Sequence, residues 1–166
     1  MTAGLNALDG AGLGGTVLCL LVAWRRGRHA ELVALVGCLA VYLGGSWAAA
    51  ALAPAVPVGT PGGPLNLAGA LVVVFVAGLL GTWLLARLGP LLVKRRATTA
   101  AERALAAAFG VLRAWVLGLM AATVVGLTPA AQSALWQGSA LAGWLGAGVR
   151  GAQPLLPPPL VRHLAR

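Results

Sequence analysis

The side chains able to do chemistry are few and widely separated. Asp9, Glu31 and Glu102 are the only carboxylates in a 166-residue chain. Ser46, Ser133 and Ser139 are nucleophile candidates, but no His or acid stands at a spacing that predicts a nucleophile, a base and an orienting acid in one hydrogen-bonded line. His29 and His163 fall in a basic loop and a basic tail, far apart, so a shared metal is not expected. Cys19 and Cys38 lie inside apolar segments with no CxxC and no neighbouring His, which reads as two inert core thiols rather than a zinc site or a disulfide framework. GAGLGG at 10–15 fits GxGxxG on paper but lacks the preceding strand and βαβ context of a dinucleotide fingerprint. Its glycines read as close helix packing or a frayed helix start. No catalytic, cofactor or metal site is therefore predicted, and no enzyme activity is expected.

Charge offers a second pattern. Glu31 opens one apolar segment and Glu102 precedes another, with Arg25, Arg26, Arg28, Arg103 and Arg113 predicted at the same face of the molecule. A first-turn acid is favoured by the helix dipole alone. The alternative is an interhelical ion-pair cluster, because a charge within a membrane is costly without a partner. Arg113 accordingly either pairs with an acid or snorkels to the interface. In the same segment Ala106, Gly110, Ala114, Gly118, Ala122 and Gly126 recur every fourth residue, a smooth stripe that another backbone can approach closely, within the chain or from a second copy.

The elements that must position these residues follow from composition. The chain is 60% hydrophobic and 9% charged, against roughly 25% charged residues in a soluble domain. So few charges cannot clothe a soluble globule, and the mean hydropathy of +0.91 points to lipid as the solvent. A net charge of +9 would suit a nucleic-acid partner, but the basic residues sit between apolar runs and form no continuous stripe with interleaved aromatics, so none is expected. Roughly 20 apolar residues cross a bilayer core. Four segments qualify, at about 5–24, 32–53, 65–86 and 104–128; Pro54 closes the second, Gly89 and Pro90 bar continuation of the third, and Thr128 and Pro129 end the fourth. The predicted class is all-α: a polytopic four-helix membrane domain over 1–129, then an amphipathic interfacial helix and a Pro-rich basic tail over 130–166. The helix is drawn from Leu135, Trp136, Leu141, Trp144, Leu145 and Val149, with Pro154 and Pro157 to Pro159 ending it.

Loops 25–31 and 87–103 hold eight Lys/Arg and the loop 54–64 holds none, so both basic loops are expected in the cytoplasm and both termini outside it. No Lys or Arg precedes the first apolar run, so that helix is expected to be retained rather than cleaved as a signal peptide. The second and third segments offer few polar groups at mid-depth, which disfavours active transport by this chain alone.

Two stretches resemble a known family. AWRRGRHAEL at 23–32 is similar to the segment joining the first two helices of the colicin V production protein (CvpA) family. AERALAAAFGVLR at 101–113 resembles that family's Asp-Arg-x-Leu-Gly-x-x-x-Gly-x-x-Arg-Gly pattern, and VGLTPAAQSALWQGSAL at 125–141 follows it. The matched positions are Arg26, Gly27, Glu31, Arg103, Leu105, Gly110, Arg113, Thr128, Pro129, Gln132 and Ser133. Glu102 stands where Asp is usual, and Ala106 and Ala114 replace Gly. The resemblance implies a bacterial inner-membrane protein tied to colicin V production or export and to envelope homeostasis, without defining its molecular activity. Its expected partners are the lipid bilayer and either a second copy or other envelope proteins. A channel or transporter component built by oligomerisation is the second reading.

Overall fold

The computed structural model describes residues 6–92 and 99–164, with the side chains of 86–92 left aside. Leu5, Lys94, Arg95 and Arg96, and the side chain of Arg87, lie outside that description. Four long helices form: α1 (Ala7–Arg26), α2 (Arg28–Leu52), α3 (Pro64–Leu92) and α4 (Ala100–Gly126). Each contains a stretch long and apolar enough to cross a bilayer. No strand occurs among the described residues.

The burial pattern departs from that of a soluble protein. Leu13, Leu18, Leu21, Val33, Val36, Leu84 and Leu85 are exposed, whereas Glu31, Ser46, Asn66 and Thr123 are buried. Polar groups inside and aliphatic groups outside is the arrangement lipid demands, because an unsatisfied polar atom costs several kcal/mol in hydrocarbon while an outward Leu costs nothing there. The chain is a multi-pass membrane protein.

Local chemistry sets the helix ends. Gly27 alone separates α1 from α2, at φ 84°, a backbone region that a Cβ disfavours. Helix α4 begins at Ala100, four residues before the apolar run at 104. There Thr99 and Glu102 form a capping box: the Thr99 N–H donates to Glu102 Oε2 (3.2 Å) and the Glu102 N–H to Thr99 Oγ1 (3.3 Å). Helix α3 departs from expectation, running through Gly89 and Pro90 to Leu92. A proline near a helix end forfeits only one backbone bond, and Gly89, with no Cβ, relieves the clash a proline imposes on its predecessor.

Helix α1 packs chiefly on α4, α4 on α2, and α2 on α3. The core runs through Leu35, Tyr42, Leu71, Phe75, Val116 and Met120. The loop after α2 is pinned from inside: buried Asn66 donates to the Val56 carbonyl (2.8 Å) and accepts from the Gly62 N–H (3.2 Å).

A C-terminal helix is present, but in two pieces, α5 (Ala134–Gln137) and α6 (Ala140–Ala152), where one continuous helix over 132–149 was expected. Ser133 and Ser139 each cap the N-terminus of the piece that follows, their hydroxyls accepting from the N–H of Trp136 and Ala142, and a cap starts a new helix rather than continuing an old one. Nor does the apolar face lie wholly against lipid: Ala142, Leu145 and Val149 are buried, and α6 packs on α4. The proline run opens a further helix, α7 (Pro158–Leu164), because a proline in the first turn has no N–H to lose. It buries Leu160, and Trp47 of α2 donates its indole N–H to the Leu155 carbonyl just before it (3.2 Å).

Candidate functional site: a buried ion pair at the basic end

Glu31 lies in the first turn of α2, about 5 Å along the axis from Arg28, while Arg113 lies about 20 Å along α4 from Ala100, at 1.5 Å rise per residue. Their pairing therefore sets the start of α4 roughly three turns before the start of α2 along the bundle. Arg113 Nη1 lies 2.5 Å from Glu31 Oε1, with side-chain exposures of 10% and 0%. The close contact with Arg113 holds the carboxylate, and no second hydrogen-bond donor serves it among the described residues. Arg26, at the end of α1, adds a second positive charge in its field. Three helices thus converge on one buried carboxylate.

The remaining candidates separate from this centre. Glu102 caps α4 and lies 3.5 Å from Arg28 Nε, both partly exposed, a surface pair worth little. Arg25 and Arg103 are exposed. The contacts therefore favour Glu31–Arg113 pairing over snorkelling, and Arg28 joins Glu102 in a separate peripheral contact.

The small-residue stripe faces this chain's own helices. A Cβ on Gly110 would lie 2.6 Å from Ala23 Cβ and 3.0 Å from the Cys19 carbonyl oxygen, so α1 sits directly on the glycine. Further along, Gly118 meets Leu145 and Gly126 meets Leu164, with Ala106 and Ala122 buried and Ala114 half-buried between them. In the 10–15 glycine run, Gly12 is packed by Leu141, while Gly10, Gly14 and Gly15 face open space.

Two polar arrangements escaped the sequence reading. Asp9 Oδ1 accepts from the Ser139 hydroxyl (2.6 Å) and the Leu141 N–H (2.9 Å), placing a carboxylate at the N-terminus of α6. Asn6 strengthens the clip by donating to the Leu135 carbonyl. The signal in the sequence is a serine just before an apolar run, which a single helix over 132–149 hides. Deep in the bundle, the Tyr42 and Thr123 hydroxyls lie 3.2 Å apart, and Ser46 donates to the Tyr42 carbonyl. With Ser133 bonded to the Ala130 carbonyl, all three nucleophile candidates have structural partners.

The geometry coincides with the residues that carried the family resemblance, and residues 8–150 match the family described as Colicin V production protein. The chain belongs to the colicin V production protein family. The match takes in the four long helices except Ala7, the Glu31–Arg113 pair and nearly all of α6. Comparison with curated proteins returns no match, and comparison with solved structures returns none. Within this CvpA-type chain, Arg26, Gly27, Glu31 and Arg113 come together at the α1–α2 junction and its α4 support, while Thr128, Pro129, Gln132 and Ser133 form the turn that leads from α4 into α5.

Proposed function

We propose that this chain is a non-enzymatic accessory protein of the bacterial inner membrane, required for colicin V production or export and for envelope homeostasis. The family match over residues 8–150 carries that reading. Two features support it. The buried polar side chains are used in assembly: Glu31 on Arg113, Asp9 on Ser139, Ser46 on a carbonyl. The excess of Lys/Arg in loops 25–31 and 87–103 supports a proposed orientation with those loops in the cytoplasm and both termini in the periplasm, where α5 to α7 would meet other envelope proteins or a second copy. A pore built on the stripe is disfavoured because α1, α6 and α7 cover it.

The test is complementation. In a producing strain lacking this chain, colicin V inhibition zones and growth under a membrane-perturbing detergent are both expected to fall and to return with the wild-type gene. Normal zones and normal growth without the gene would sink the proposal. Ion or solute flux through liposomes holding only the purified protein would favour the channel reading instead.

A further inference from the structure

At the basic end of the bundle a cavity of about 270 Å³ opens between helices. Helix α1 packs chiefly on α4 and α3 chiefly on α2, which leaves a gap between the two outer helices. Val22 and Arg26 line it from α1, Leu79 and Trp83 from α3, and Arg113 and Leu117 from α4. The lining is mostly apolar, with two guanidiniums, and the helices beside it carry exposed Val17, Leu21, Leu80 and Leu84, an apolar surround that suits a lipid tail.

Charge in this cavity is unbalanced. Arg26 and Arg113 bring two positive charges against the one of Glu31, which lies buried behind them. Arg113 uses one nitrogen on Glu31, and a guanidinium carries five N–H donors suited to phosphate oxygens. Arg26 is exposed, so beside the paired Arg113 it leaves a net positive charge at the rim of an apolar cavity, which attracts an anion. Such an anion must arrive with an apolar body, because most of the lining repels a hydrated ion. Arg26 at the very end of α1 stands at headgroup depth, and Cys19, another lining residue, stands about 10 Å deeper by helix rise, where an acyl chain would run. Basic pockets between transmembrane helices are a recognised setting for anionic lipid headgroups. We propose that this cavity holds the phosphate of an anionic phospholipid on Arg26 and Arg113, with the upper part of one acyl chain along Val22, Leu79 and Leu117. The site is independent of the toxin reading and stands whether or not complementation succeeds.

The test uses the full-length chain in neutral detergent, with thermal unfolding followed as phosphatidylglycerol, phosphatidylcholine or inorganic phosphate is added. Phosphatidylglycerol is expected to raise the Tm and the other two to leave it unchanged. Arg26→Gln should require about tenfold more phosphatidylglycerol for the same shift, the effect of losing one charge-assisted hydrogen bond. Arg25→Gln, an equal change in charge on an exposed residue outside the lining, should require no more than wild type. If Arg26→Gln does not fold, Val22→Trp, which fills the cavity while keeping both arginines, should abolish the shift. A Tm rise with phosphatidylcholine as large as with phosphatidylglycerol overturns the proposal. So do no rise with phosphatidylglycerol, equal weakening by Arg25→Gln, or a rise with inorganic phosphate alone, which would assign the cavity to a soluble anion.

Discussion

Removing one member of the Glu31–Arg113 pair tests whether it holds the helices together. Glu31→Leu leaves a guanidinium 10% exposed beside α2 with no counter-charge, and Arg113→Leu leaves a carboxylate that is fully buried. Breaking a buried pair in this way costs about 3–5 kcal/mol, whereas replacing both partners by apolar groups is often neutral. Glu31→Leu belongs in the lower half of that range, because Arg113 retains some exposure. Arg113→Leu belongs in the upper half, because Glu31 has none. The double variant should cost far less than the summed singles, about 6–10 kcal/mol, leaving a coupling energy of at least about 3 kcal/mol. With about 2–4 °C per kcal/mol for chains of this length, each single variant lowers the Tm by roughly 6–20 °C and the double variant restores most of it. Thermal unfolding in detergent, read by size-exclusion recovery, supplies the four corners of the cycle. Singles that shift the Tm by less than about 2 °C, or a double variant equal to the sum of the singles, would refute the reasoning.

Three further expectations address other contacts. Gly110→Val drives a side chain into the Ala23 methyl and the Cys19 carbonyl and should cost about 1–3 kcal/mol, while Gly14→Ala, facing open space, should leave the Tm within about 2 °C in the same assay. Asp9→Asn weakens the acceptor for Ser139 and Leu141, so amides at the start of α6 should exchange about tenfold faster by hydrogen-exchange mass spectrometry; unchanged rates there would show that packing alone docks the helix. For orientation, cysteines placed singly at the exposed positions Thr60, Ala101 and Gly143, with Cys19 and Cys38 replaced, should label from outside intact spheroplasts at 60 and 143 but not at 101. Labelling at 101 alone would invert the topology.

The pairing of Glu31 with Arg113 was legible as one of two alternatives, because charges in apolar surroundings demand partners but sequence spacing does not say which partner is near. The Asp9–Ser139 clip was not legible. It joins residues 130 positions apart, and no local periodicity reports a contact of that span.

Composition, apolar run length and the placement of Lys and Arg determined by themselves that this is a membrane protein with four candidate spans, since those properties depend on solvent and helix rise rather than on tertiary contacts. The family likeness was equally local, carried by short motifs at 23–32 and 101–141. Only the tertiary structure decided which helix sits beside which: that α4 lies between α1 and α2, that the stripe from Ala106 to Gly126 serves the chain's own α1, α6 and α7, and that the tail folds back to bury Leu160. A smooth helix face or a proline-rich tail is compatible with several neighbours, and the selection comes from close packing and charge pairing summed over the whole bundle, which no single segment carries.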